Sequence, residues 1–406
     1  MSATVETSTE ITPFRVEIPA DQIDDLRERI ESTRWPSKEL VDDWSQGVRL
    51  ALLQELARYW VEEYDFGRIE ARLNALTQYR TEIDGIQIHF IHVRSEHDDA
   101  LPLVITHGWP GSVLEMLGVI EPLTDPTSHG GTAEDAFHLV IPSIPGYGFS
   151  DAPTEAGWDS ARIAGAWAEL MNRLGYDRYV AQGGDQGAGV TDAMGRLAPD
   201  GLAGVHFNFL DAIPKELLTA PLTPRIAFSH DERDQLRKVI AIFMRGYIGE
   251  MGEHPQTIGY SLLDSPVGLA AWMLDHDEDS YEKISSAFLE GAPTGGLTRD
   301  TVLDNITLYW LTSTGASTSR LYWETNRAAA ASFKNPPPHV RLPVGYTVFP
   351  DELYQAPRHW VKHAYHNLVY YNEAEQGGHF AAWEQPEIFA QELRAAFASL
   401  RNGHAS

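Results

Sequence analysis

The chain has no cysteine among its 406 residues. That excludes disulfides, a thiolate nucleophile and cysteine metal ligands. Basic residues are scarce: 31 Lys and Arg stand against 58 Asp and Glu, a formal net charge of −27. Such a surface repels nucleic acid phosphates and anionic lipid, so neither is an expected partner, and it favours an uncharged or cationic small molecule. No apolar run reaches the ~20 residues that span a bilayer. Residues Met1 to Thr12 are polar and acidic, without a basic start or an apolar stretch. No signal peptide is expected, and the protein is read as cytoplasmic. What remains, 43% hydrophobic and 22% charged, is ordinary for a globular protein long enough for two or three structural units.

Residues 1–12 read as a disordered leader and 13–95 as an extension that packs on the main body. Helical spacing dominates from Phe14 to about Asn74, with Ile23, Leu26 and Ile30 on one face and Val48, Leu52, Leu56, Tyr59 and Trp60 following. Strands then take over at Tyr79 to Ile83 and Ile86 to Val93, around the hairpin signal Asp84-Gly85. Residues 96–211 and 341–406 alternate strands with helices. The strands are Leu101 to Ile105, Phe137 to Ile141, Tyr179 to Ala181, Leu202 to Leu210, Val344 to Phe349 and Leu368 to Tyr371. Helices are expected at Val113 to Leu123, from a cap at Ser160 to a stop at Gly175, at Ala188 to Ala198, through Trp360, and from Pro386 to about Leu400. This alternation predicts an α/β fold, a doubly wound and mostly parallel sheet. Residues 212–340 are mainly helical in pattern and leave through Asn335-Pro336-Pro337-Pro338. A helical block inserted between strands reads as a cap over the carboxyl ends of the sheet, the edge where ligands bind.

The densest signal is Gly183-Gly184-Asp185-Gln186-Gly187, between a short β-prone segment and a helix. A strand, a sharp turn with small flanking residues and a helix make a nucleophile elbow, which in the familiar G-x-S-x-G form carries serine. Here an aspartate takes that place. Alone, the turn reads equally well as a helix cap. Its context adds to it. His107-Gly108-Trp109-Pro110-Gly111-Ser112 follows a core strand, where α/β-hydrolases take one oxyanion N–H; the second comes from the residue after the nucleophile. Those donors would be Trp109 and Gln186. Glu352 ends a later strand, with Asp351 as a rival one residue away, and His379 lies in Gly377-Gly378-His379-Phe380 before the last helix. Nucleophile, acid and histidine thus run in hydrolase order. His359 and His363, one helical turn apart with His366 nearby, lack the carboxylate of a zinc-binding helix, so no metal site is expected there.

These strings resemble the microsomal-type epoxide hydrolases, with an α/β-hydrolase fold, an inserted cap and an N-terminal epoxide-hydrolase extension. The resemblance runs from about Phe14 to about Leu400. In the extension it rests on Arg34-Trp35-Pro36, Asp43-Trp44-Ser45, Tyr59-Trp60 and Ile88 to His92. In the core it rests on His107 to Ser112, Pro145-Gly146-Tyr147-Gly148-Phe149-Ser150, the elbow and Gly377 to Ala382, and in the cap on Asp264 to Ala271. It implies Asp185 as nucleophile, His379 as base, Glu352 rather than Asp351 as the acid, and Tyr247 and Tyr322 as the pair that activates the epoxide. It further implies a pocket touching His107, Pro110, Phe149 and Phe380. An epoxide and water are the implied partners, with no metal or organic cofactor, and with self-association left open. Gln186 departs from the tryptophan usual after the nucleophile.

The chemistry suits these residue types. A carboxylate with an ordinary pKa of about 4 is ionised at neutral pH and can attack a strained epoxide without a base. Two phenols can serve the alkoxide that forms. Histidine backed by a carboxylate can then activate water against the ester. A serine would leave an ether that water cannot cleave. One rival is a haloalkane or haloacid dehalogenase, which uses the same Asp–His–acid logic; Gln186 removes the usual indole N–H for halide. A second is a non-catalytic ligand-binding relative, but every expected site residue is present.

Overall fold

The structure is a computed structural model that describes residues 9–209, 212, 229–332 and 337–401. Most of the leader, Leu210 at the expected end of one strand, Phe228 in the expected cap, and Asn335 and Pro336 of the proline-rich exit lie outside the described residues.

The chain begins with β1 (Thr12–Pro13) and three helices, α1 (Ala20–Glu31), α2 (Leu50–Glu62) and α3 (Gly67–Asn74). Thr12, expected in the leader, instead pairs with Arg80 at the edge of the sheet. Next comes the hairpin β2 (Gln78–Ile83) and β3 (Ile86–Val93). Its turn residues Asp84 and Gly85 both have positive φ, 51° and 79°, the backbone that two-residue hairpins require. The core follows with β4 (Leu101–Thr106), α4 (Ile120–Thr124), β5 (Phe137–Pro142), α5 (Ser160–Arg173), β6 (Tyr179–Gly183), α6 (Asp185–Leu197) and β7 (Leu202–Phe207). The helix expected over Val113 to Leu123 is a 3-10 segment, Val113–Val119, before the short α4. Pro122 has no N–H to give to Gly118, so one regular helix cannot run through.

The nine strands order as β1-β2-β3-β5-β4-β6-β7-β8-β9. The first four in that order pair antiparallel, and β5 through β9 are joined by parallel pairs. The sheet therefore winds one way from β4 to β5 and the other way from β4 to β6, and the loops after β4 and β6 open at that switch point.

Between β7 and β8 (Val344–Val348) lies the cap: α7 (His230–Phe243), α8 (Gly246–Glu253), α9 (Pro255–Asp264), α10 (Pro266–Leu274), α11 (Glu278–Leu289), α12 (Arg299–Leu311) and α13 (Gly315–Ser332). After β8 come α14 (Arg358–Ala364), β9 (Leu368–Glu373), α15 (Ala381–Glu384) and α16 (Pro386–Arg401). Among the described residues, no helix is long and apolar enough to cross a membrane.

Helix α12 joins the three parts. It is buried all round from Thr301 to Trp310, so its polar side chains must find partners inside the protein. Toward the extension, Trp60 donates to Thr307 Oγ1 at 2.9 Å and Tyr64 to Asp304 Oδ1 at 2.8 Å. Toward the core, Asn305 donates to the Pro110 carbonyl at 2.6 Å and Tyr309 to the Gly111 carbonyl at 2.7 Å. The helical part of the extension thus meets the cap at α12, and the cap pins the loop after β4.

Candidate active site

At the elbow β6 ends on Gly183 and α6 starts at Asp185, whose φ is 50°. A non-glycine residue there is strained by on the order of 1–3 kcal/mol and needs a packed surround to hold it. The surround leaves no space for side chains. A Cβ on Gly187 would lie 2.0 Å from the Thr106 carbonyl oxygen, and one on Gly108 would lie 2.5 Å from Asp185 Cβ. The result is a carboxylate at the positive end of α6. Its Oδ1 accepts the Trp109 backbone N–H at 2.9 Å, and its Oδ2 lies 3.6 Å from His379 Nε2.

His379 Nδ1 lies 2.7 Å from Glu352 Oε1, and both residues are buried. Glu352 also accepts the N–H of Leu353 at 2.8 Å. The rival Asp351 is exposed and faces Lys283 at 3.3 Å. The His379 loop is braced by Glu384, which accepts the N–H groups of Gly378 at 3.1 Å and Phe380 at 3.2 Å and pairs with Lys283 of α11 at 2.7 Å. Burial works against a charged imidazole at His379. The carboxylates of Glu352, Asp185 and Asp277 outweigh it and hold the group up at about 10.

Tyr247 of α8 and Tyr322 of α13 meet over Asp185, with ring centroids 6.1 Å apart. Trp109 stacks on Tyr247 at 4.9 Å and meets Tyr322 edge-on at 5.9 Å. The residue whose N–H touches Asp185 therefore also sets both phenols. Burial, and then the Asp185 charge, push both phenols well above their ordinary range, so they stay protonated. Gln186 beside Tyr322 works the other way. Asp185, Gln186, Tyr247 and Tyr322 share a cavity of 230 Å³ whose other walls include Phe209, Val239, Ile242, Ile248 and Tyr354.

The pocket residues expected from the sequence fall elsewhere. His107 and Phe380 line a separate cavity of 10 Å³ behind Asp185. Pro110 lines an apolar cavity of 30 Å³ under the cap. Phe149 packs on Phe14 and His89 at 5.1 and 5.3 Å, in the seam with the extension, and none of these cavities includes it. Its place in an aromatic cluster that closes the hairpin side of the sheet keeps it from the pocket.

Three acidic or basic groups at the site escaped the sequence. Glu384 is one and Glu115 is another. The third is the pair His276–Asp277, joined at 2.8 Å, with the His276 ring 4.5 Å from that of His379 and 5.3 Å from that of Tyr247. Burial and the neighbouring His379 charge push His276 down. In the sequence Asp275 to Asp279 looks like a solvated acidic turn, and nothing in its spacing signals burial. Asp185, His276 and His379 offer ligand atoms within 4.8 Å of one another, the single such grouping among the described residues. Two imidazoles and a carboxylate are donors a divalent cation can use.

The chain as a whole is similar to known proteins. The family model described as "Epoxide hydrolase N terminus" matches residues 11–116, and the "alpha/beta hydrolase fold" model matches 102–231. A provisionally named epoxide hydrolase of Stigmatella aurantiaca is 52% identical over 96% of this chain and 86% of its own length. Epoxide hydrolase 1 of Sus scrofa is 36% identical over 95% of this chain and 88% of its own. The crystal structure of juvenile hormone epoxide hydrolase from the silkworm Bombyx mori superposes with a TM-score of 0.84 at 32% identity, covering 98% of this chain and 96% of that one.

Proposed function

The chain belongs to the epoxide hydrolase family, and we propose that it opens an apolar or aryl epoxide to a vicinal diol by way of an ester on Asp185. The observation that carries this reading is one carboxylate set against a backbone N–H at 2.9 Å and an imidazole at 3.6 Å, in a cavity that also holds two neutral phenols.

In the first step an Asp185 oxygen attacks an epoxide carbon. The ring C–O bond breaks, and the oxygen that leaves takes a proton from Tyr247 or Tyr322. Esterification removes the negative charge of Asp185, one of the charges that hold His379 up. His379 then gives up its proton, which restores the phenol. The neutral imidazole left behind is the base that the second step needs.

In that step water gives a proton to His379 Nε2 while its oxygen adds to Asp185 Cγ. The oxyanion faces the N–H of Trp109 and that of Gln186. The Cγ–O bond to the substrate breaks, the proton on His379 goes to the departing oxygen, the diol leaves, and the proton left on the Asp185 carboxyl passes to His379. Atoms and charges return to their starting state, and no metal or organic cofactor enters. The largely apolar walls favour an apolar or aryl substituent.

A single turnover in ¹⁸O-labelled water tests the route. The label is expected in Asp185, located by peptide mass, and absent from the diol. Label in the diol after one turnover, or full activity in Asp185→Ala, overturns the ester.

A further inference from the structure

Asp185 is the one residue shared by the linings of two cavities, the 230 Å³ chamber under the tyrosines and the 10 Å³ cavity behind it. The smaller has room for about one water. It is the place where Asp185 and His379 face a common space. Three other polar side chains reach it. His107 is already committed, with Nδ1 on the Gly108 carbonyl at 3.1 Å and Nε2 accepting from the Ile144 N–H at 3.2 Å. Asn208 accepts from Gln182 at 2.8 Å. Glu115 is different: among the described residues, its carboxyl has no hydrogen bond to protein. The loop is shaped around it, because a Cβ on Gly111 would lie 2.2 Å from Glu115 Oε2.

We propose that Glu115 is a positioning residue that holds the hydrolytic water in this small cavity. The proposal rests on the ester at Asp185. One O–H of the water goes to His379 Nε2, the other to the Glu115 carboxyl, and an oxygen lone pair is left toward Asp185 Cγ. The charged groups around Glu115 are His379, Asp185, Glu352 and Glu384. Burial, with the three carboxylates adding to it against His379, pushes Glu115 up to about 8, so it is neutral at pH 7. Neutrality matters, since a second negative charge there would oppose the oxyanion forming on Asp185.

The test follows the covalent adduct by intact mass and rapid quench in four proteins: wild type, His379→Gln, Glu115→Met and Glu115→Gln. Glu115→Met is expected to form the adduct at the wild-type rate and to hydrolyse it about 100-fold more slowly, the scale of a misplaced reactant. Glu115→Gln, which keeps a neutral donor and acceptor, restores most of the hydrolysis. Its hydrolysis also persists as pH rises through about 8, where the wild type declines because Glu115 ionises. The proposal is overturned if Glu115→Met hydrolyses the adduct at the wild-type rate, or if both Glu115 variants slow adduct formation and hydrolysis equally. No adduct in His379→Gln, together with ¹⁸O in the diol, would instead remove the ester itself.

Discussion

At the scale of single residues, the proposed route gives the tyrosines a part in one of its two steps. Tyr247 and Tyr322 are neutral and share the cavity of Asp185, where that route has the epoxide oxygen gain charge, and it gives them no part in the attack by water. Replacing either by Phe keeps the ring that packs on Trp109 and removes one donor. Tyr247→Phe and Tyr322→Phe are each expected to slow adduct formation by about 100-fold, with the double variant near background. Stopped-flow measurement of adduct formation checks this, and an unimpaired double variant would refute the role. Some of these residues were legible in the chain because their neighbours cannot vary: Gly108 and Gly187 stand where a Cβ would meet Asp185 or a backbone oxygen. Glu115 was not legible. Three residues after Ser112, it reads as an ordinary helix-start carboxylate, and only the folded loop turns it toward His379. His276 was hidden for the same reason, since burial of so acidic a stretch depends on the cap closing over it.

Among the elements, α12 carries more than its sequence suggests. A helical period was visible there, but no single apolar face, because every side of the helix meets protein. Asp304 is fully buried and accepts from Tyr64 at 2.8 Å, Arg68 at 3.1 Å and Arg72 at 2.6 Å. Asp304→Ala would leave two partly buried guanidinium groups and a phenol without their acceptor, at an expected cost of about 3 kcal/mol. The same helix holds the carbonyls of Pro110 and Gly111, so slackening it also loosens the Trp109 N–H against Asp185. Denaturant unfolding and kcat measured on one sample should fall together, and a stability loss under ~0.5 kcal/mol would show that the extension docks without this contact. The parallel strands themselves could be read from the alternation, because each buried one is a short apolar run. The docking of the extension on the cap could not, because it depends on polar pairs more than 200 positions apart in the chain.

The whole molecule adds a field that no single pair provides. Its net charge of −27 surrounds a reaction centre whose cavity walls are largely apolar. A neutral epoxide enters without regard to that field. An epoxide carrying a carboxylate is repelled on approach, and one carrying an ammonium group is drawn in. Salt separates these cases, because the Debye length shrinks from roughly 30 Å at ~0.01 M to roughly 10 Å at ~0.1 M. For a matched series of aryl epoxides bearing carboxylate, amide and ammonium groups, kcat/KM should rise with salt for the first, stay level for the second and fall for the third. The effect should lie in KM rather than in the rate of adduct hydrolysis, since by then the substrate is covalently held. Equal salt responses across the series would mean that the acidic surface keeps the protein dispersed in solution and plays no part in selecting what reaches Asp185.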